Sequence, residues 1–182
     1  MESDGGVDRP EPPGMRPLEG KTALVTGAGR GIGAAAAVLL AEAGARVVVH
    51  YHSSRDAAEA TARECERRGG SAMTAAADLR SPAEIERLKA VLDEAGIAPD
   101  ILVNNAGVSH YGLFTDVTER DWDDVVGVNL KGMFRLTQLL APAMVRRRHG
   151  RIINVSSVWG IAGASCEALY SLTKGGVNAF TK

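Results

Sequence analysis

Cysteine is nearly absent from this 182-residue chain. The two copies, Cys65 and Cys166, lie in different segments and offer neither a disulfide framework nor a metal-ligand spacing, which points to a reducing compartment. Both read as packing or surface thiols. An excess of one charge is also missing: 21 lysines and arginines stand against 22 aspartates and glutamates, so no overall field favours nucleic acid or an anionic membrane. The one basic run, Arg146, Arg147, Arg148 and His149, falls where a helix is expected to end and complements its dipole there. No apolar run approaches the roughly 20 residues that a bilayer span requires. Residues 1–17 (MESDGGVDRPEPPGMRP) are acidic, rich in Pro and Gly and without an apolar h-region. They read as a disordered leader, neither signal peptide nor anchor. The expectation is one cytoplasmic domain over residues 18–182, with no nucleic-acid or membrane partner.

What the sequence does contain is alternation. From Lys21 onward a short β-branched or aliphatic run, a turn and a longer segment of helical spacing repeat, the pattern of βαβ units on a parallel sheet. Strands are expected at Thr22 to Thr26, Arg46 to His50, Ala72 to Ala77, Ile101 to Asn104 and Arg151 to Val155. The third is weakly written, because alanine and methionine distinguish poorly between strand and helix. Helices are expected through Ala43 with Gly44 as the stop, over 55–68, and after Ser81-Pro82-Ala83-Glu84, which has the form of a capping box. The longest runs from Thr118 to about Arg147, with Trp122, Val125, Val126, Leu130, Phe134 and Leu140 as its buried stripe and Pro142 bending its end. A last helix begins near Tyr170. The fold class is α/β: a doubly wound parallel sheet of the Rossmann type in three α/β/α layers, with ligands at the carboxyl ends of its strands.

Between the first strand and its helix stands TGAGRGIG, Thr26 to Gly33. Gly27, Gly31 and Gly33, with Arg30 and Ile32 between them, are spaced more widely than G-x-G-x-x-G. They serve the same ends: a tight turn, close approach of backbone to a pyrophosphate, and N–H groups at a helix start facing the anion. At the end of the second strand an acidic residue would take a ribose 2′-hydroxyl and repel a 2′-phosphate. Here the sequence is His50-Tyr51-His52-Ser53-Ser54-Arg55, with no carboxylate before Asp56. Arg30, Ser53 and Arg55 suit a phosphate, so NADP(H) is preferred and NAD(H) remains possible. His50 and His52 have no third ligand near them in sequence and read as a polar strand end; no metal is expected.

YSLTK, Tyr170 to Lys174, places a tyrosine and a lysine four residues apart, on one face of a helix. A phenol with its ordinary pKa near 10 is a poor acid–base catalyst at neutral pH and requires a nearby cation to favour the phenolate. Lys174 supplies one. Ser157, just after the fifth strand, is suited to hydrogen-bond a substrate oxygen as alkoxide character develops.

Five segments in order, TGAGRGIG, NNAG (Asn104 to Gly107), Asn129 in VNLKG, Ser157 in INVSS and Tyr170 to Lys174, resemble the short-chain dehydrogenase/reductase family, and within it the 3-oxoacyl-carrier-protein-reductase-like members. The resemblance covers residues 18–182. It implies hydride transfer between a nicotinamide dinucleotide and a small-molecule carbonyl or alcohol, with Tyr170 as acid or base. It further implies that Lys174 binds the nicotinamide ribose, that Asn129 holds a water of a proton relay, that Asp78 and Leu79 border the adenine, and that Asn105, Ala106 and Gly107 line the nicotinamide ribose. Ser109, His110, Tyr111 and Trp159 are expected to face the substrate.

Family members continue past the Tyr/Lys helix into a further strand, a lid and a final edge strand, none of which is in this sequence. The expectation is a chain that lacks the family's last strands, with an open edge on its fifth strand and a homo-oligomer only if the C-terminal part is supplied. The alternative is a catalytically inactive NADP(H)-binding or scaffold protein. Asn154-Val155-Ser156 matches a glycosylation sequon but falls in what is expected to be a buried strand.

Overall fold

The structure is a computed structural model that describes residues 16–182. Residues 1–15, most of the expected leader, lie outside the described residues. Arg16, which the sequence assigns to that leader, is held in place, its guanidinium donating to the Gly69 carbonyl.

Five parallel strands form one sheet: β1 Thr22–Val25, β2 Arg46–Tyr51, β3 Ser71–Ala76, β4 Ile101–Asn104 and β5 Arg151–Asn154, in the spatial order β3-β2-β1-β4-β5. The chain builds outward from β1 in both directions. This places a topological switch point between β1 and β4, where open α/β sheets leave a crevice at the strand ends. Side chains alternate across the sheet with a period of two. Ala23 and Val25 of β1 join one core with Val47, Val49 and Val103, against α1 (Gly31–Glu42) and α2 (Arg55–Arg67). Leu24, Val48 and Leu102 face the other way, into a second core with Leu88 and Leu92 of α3 (Pro82–Glu94) and Leu136 and Leu140 of α5 (Met133–Arg147). Strands buried on both faces need the continuous aliphatic runs that the sequence has. The expected α/β/α layering is present.

The long helical stretch is where expectation and structure part. It divides into α4 (Glu119–Val126), a π-helical segment Gly127–Gly132 and α5. A complete capping box starts α4: Asp121 N–H donates to Thr118 Oγ1 and Thr118 N–H to Asp121 Oδ2. The wider π turn takes up additional residues and rotates everything beyond it, so a stripe counted at a constant 3.6 residues loses its phase. Val125 and Leu140 are buried as expected, but Trp122 and Phe134 are 43% and 50% exposed. The Phe134 ring instead packs on Phe180, with ring centroids 5.4 Å apart. Pro142 lies inside α5, and Arg148 ends it in the left-handed conformation while Arg147 donates to the Pro99 carbonyl.

Two further expectations are corrected. Ser81 caps α3, its hydroxyl accepting from Glu84 N–H, but the Glu84 carboxylate does not return to Ser81. It accepts from Asp78 N–H at 2.7 Å and so fixes the segment after β3. β5 is not buried: among the described residues it pairs only with β4, and Ile153 is half exposed, so the sequon at Asn154 begins on an edge strand. Among the described residues no helix is long and apolar enough to cross a membrane.

Beyond β5, α6 (Trp159–Ala162) packs against α7 (Ala168–Thr181) with almost no space between their backbones. A Cβ on Gly160 would stand 2.6 Å from the Lys174 carbonyl carbon and 2.8 Å from Asn178 Nδ2, and the Gly160 carbonyl accepts from that amide. Because the obstruction is backbone, Gly160→Ala is expected to cost about 1–3 kcal/mol of stability in urea denaturation. Unchanged stability would show that the two helices separate freely.

Candidate functional site

The switch-point crevice is built around Thr26. Its hydroxyl donates to the Val103 carbonyl and accepts from the N–H groups of both Asn105 and Ala106, at 2.9 Å each. Asn105 returns its side-chain amide to the carbonyls of Thr26 and Gly27. These bonds press the glycine turn onto the end of β4. Gly27 has φ +61°, and a Cβ there would lie 2.9 Å from Ala106 Cα, so no larger residue fits. Gly33 packs as tightly from the start of α1, where a Cβ would meet the Gly27 carbonyl at 2.6 Å.

A cleft of about 440 Å³ opens beside this turn. Of the residues expected to hold a dinucleotide, Gly27, Arg30, Ile32, Ser53, Asp78, Leu79, Asn105, Ala106 and Gly107 line it. Gly31 and Gly33 shape the turn without lining the cleft, and Gly31 has a positive φ of 56°. Arg55 does not line it either: it opens α2, and its Nε donates to Glu59 at 3.0 Å. His52 is on the wall instead. A smaller cleft, about 220 Å³, continues toward Tyr170 and Lys174 and shares Ile32, Asn105, Gly107 and Val108 with the first. A dinucleotide laid across those four shared residues would reach both ends.

At the Tyr170 end, Lys174 is buried although it is a lysine, with Nζ donating to the Val155 carbonyl at 2.7 Å and lying 5.6 Å from the centroid of the Tyr170 ring. Burial lowers its pKa from the ordinary lysine value. Asn129, in the π segment, is also buried. Its Oδ1 accepts from Val108 N–H, and its Nδ2 donates to the Val108 carbonyl and to Thr173 Oγ1, which donates to the Tyr170 carbonyl. The side chain thus ties the loop after β4 to the helix that carries Tyr170 and Lys174. Ser156, not Ser157, lines the smaller cleft. The Ser157 hydroxyl accepts from Trp159 N–H at the start of α6, which leaves its own proton free to donate. Ser109 is on the wall; His110, Tyr111 and Trp159 are not. Among the described residues no group of three or more His, Cys, Asp or Glu side chains is placed to hold a metal ion.

The family model described as short chain dehydrogenase matches residues 21–182. This chain belongs to the short-chain dehydrogenase family. It is 43% identical over 163 residues to a 3-oxoacyl-(acyl-carrier-protein) reductase of Staphylococcus epidermidis, a match that covers 89% of this chain and 66% of that protein. The chain therefore spans slightly less than two thirds of the length of that relative. Among solved structures it resembles a metagenomic short-chain oxidoreductase in complex with NADP (39% identity, TM-score 0.85, covering 90% of this chain and 74% of the other). It is also similar to a putative gluconate dehydrogenase from Agrobacterium tumefaciens (36% identity, TM-score 0.87, covering 92% and 66%).

Two residues that shape the cleft are given no role of their own by the sequence motifs. One is Thr26, whose only sequence signal is a hydroxyl at the end of an aliphatic strand. The other is His50, 2% exposed, which spans the floor of the cleft. Gly27 N–H can only donate and the Ala77 carbonyl can only accept, so Nδ1 (3.2 Å from Gly27 N) carries the lone pair and Nε2 (3.1 Å from Ala77 O) the proton. The signal was a histidine where the alternation requires a buried aliphatic.

Burial lowers the His50 pKa from 6.5 to about 4, opposed by the bond to Ala77 and assisted by nearby His52. The fold therefore favours neutral imidazole. The stabilisation is complete above the unfolded pKa and is lost as pH falls from 6.5 toward 4, when only the unfolded chain takes up the proton. A displacement of that size corresponds to about 3 kcal/mol. Urea denaturation at pH 7 and pH 4.5 should therefore show a smaller loss on acidification for His50→Gln than for the native chain. Equal losses would contradict the assignment.

Proposed function

We propose that the chain carries the cofactor site and reacting residues of an NADP(H)-dependent reductase or dehydrogenase acting on a carbonyl/alcohol pair. The observation that carries this is the continuity of the two clefts, with the glycine turn at one end and Tyr170 with Lys174 at the other. The residues fit a dinucleotide: a turn whose Gly27 admits no Cβ offers its backbone to a pyrophosphate, and the wall toward β2 presents Arg30, Ser53 and Ser54 with no carboxylate on that segment. Asp78 is the acid in the cleft, and its charge is engaged, since Arg80 donates to it through Nε and Nη2. Two similar structures, the metagenomic oxidoreductase and a gluconate 5-dehydrogenase from Burkholderia cenocepacia (36% identity, TM-score 0.84), are complexes with NADP, which supports the same cofactor here.

When bound, the nicotinamide supplies or accepts the hydride. In the reductive direction Tyr170 delivers the proton to the carbonyl oxygen, and Ser157 donates a hydrogen bond to that oxygen as it gains charge. Lys174, held by the Val155 carbonyl and over the Tyr170 ring, favours the phenolate left behind and binds the nicotinamide ribose. Asn129 fixes the loop at Val108 and, through Thr173, the turn of helix at Tyr170, and supports return of the proton from solvent. The substrate is a small carbonyl or alcohol compound, and the 43% identical relative makes a 3-oxoacyl thioester the first to assay.

NADPH at one hundred times its dissociation constant adds about 2.7 kcal/mol, which for a domain of this size raises the thermal midpoint by about 5 to 11 °C. Tyr170→Phe is expected to keep that shift and to lose turnover by at least 100-fold. Half the native rate in that variant would overturn the assignment of Tyr170, and no shift with NADPH or NADH would overturn the cofactor.

A further inference from the structure

The segment that follows β3 carries more than the cleft rim. Asp78 and Leu79 line the cleft, and so does Val128, which lies inside the π segment Gly127–Gly132. That segment is seated on the same few residues by the glycines at its two ends. A Cβ on Gly132 would overlap the Leu79 carbonyl oxygen and stand 2.8 Å from Leu79 Cβ, and a Cβ on Gly127 would stand 3.1 Å from Arg80 Cγ. On its other side the segment meets the loop after β4 and the helix α7. Asn129 holds both backbone groups of Val108 and reaches Thr173, and Leu130 packs against Gly176, where a Cβ would lie 2.9 Å from Leu130 Cδ2.

A π turn is a rare interruption of an α-helix, so the contacts around it must select it over a continuous α-helix. Arg80 supplies the most directional of those contacts. Its Nε and Nη2 donate to the Asp78 carboxylate at 2.7–3.0 Å, while Nη1 donates to Asp124, in the last turn of α4 just before the π segment. The aliphatic stem lies between the two, against Gly127. A guanidinium holds its donors in a fixed plane, so gripping both carboxylates sets the angle at which α4 delivers the chain into Gly127. Arg80 and Asp124 are partly exposed, and pairs of that kind add little to overall stability. What the bridge contributes is direction. Arg120, the other cation near Asp124, is almost fully exposed and 3.9 Å away, on α4 itself, so it gives no link to the rim.

Resting on the roles of Asn129 and Tyr170 given above, we infer that Arg80 is a positioning residue for the proton relay: it bridges Asp78 to Asp124 and so holds the π segment where Asn129 meets Val108 and Thr173. Arg80 lines neither cleft and acts through Asn129.

Amide hydrogen exchange of the free chain, resolved residue by residue by NMR, tests this without any cofactor. Val108 N–H is donated to Asn129 Oδ1 and reports the position of that side chain. Arg80→Gln keeps the stem against Gly127 and removes the guanidinium; Asp124→Asn removes the charge at the far end of the bridge. Each is expected to speed exchange at Val108 by about threefold or more and to leave the amides of β1 and β2 within about 1.5-fold. In an Asn129→Ala background, where Val108 has already lost its acceptor, Arg80→Gln should have no further effect. A merely structural role would instead speed exchange across the whole sheet, or add in full to Asn129→Ala. In turnover assays Arg80→Gln should lower kcat by about threefold or more while KM for the carbonyl substrate stays within about twofold. Unchanged exchange at Val108 in both variants, or full additivity with Asn129→Ala, would overturn the inference and leave the function proposed above standing. Absence of turnover by the native chain would overturn that function alone, and exchange at Val108 would still decide the place of Arg80.

Discussion

Contact between the backbone of the first glycine turn and the end of the fourth strand sets the shape of everything around it. A methyl group at Gly27 would overlap Ala106, and two backbone N–H groups converge on the Thr26 hydroxyl to hold the surfaces together. Three consequences follow. The turn is forced open toward the cleft, whose wall it forms. The loop after β4 is brought against the π segment, where Asn129 binds both backbone groups of Val108. And Ile32, Asn105, Gly107 and Val108 become the shared floor of two clefts that would otherwise be separate.

Thr26, His50 and Asn129 are buried, and their hydrogen-bond partners set their orientation. His50 is a neutral spacer between the turn and the end of β3, and its tautomer is dictated by partners that can only donate or only accept. Glu84 leaves its own helix cap to hold Asp78 N–H, which makes the start of α3 part of the cleft rim. On the other side, the close approach of Gly160 to Lys174 lets α6 hold the helix that carries the tyrosine. Low tolerance for added atoms at Gly27, Gly33 and Gly160 is the physical cost of bringing backbone this near to backbone.

Much of the fold was legible because β1, β2 and β4 are buried on both faces and are written as uninterrupted aliphatic runs, each bounded by a glycine, proline or capping signal. The long helix was only partly legible. A π turn has no sequence mark comparable to a capping box, so Phe134 was assigned to the core by a periodicity that the chain abandons at Gly127, while Trp122, in the regular helix before it, is simply at the edge of the stripe. In the site, the glycines and the Tyr170/Lys174 pair could be read from spacing, since helix and turn geometry fix their neighbours locally. Thr26 and His50 could not: their partners Ala106, Gly27 and Ala77 come from other segments and are backbone atoms, which every sequence contains. Arg55 was misplaced for the opposite reason, because sequence gives its charge but not the direction in which α2 points it.

Amide hydrogen exchange of the chain with and without NADPH tests the continuous cleft most directly. A dinucleotide lying across both halves should protect the glycine turn at 27–33, the rim at 77–79, the loop at 105–108 and the start of α7 near Tyr170 in the same experiment. Protection confined to the glycine turn and rim, with α7 exchanging as in the free chain, would contradict the account and separate the cofactor site from the tyrosine assigned to act on it.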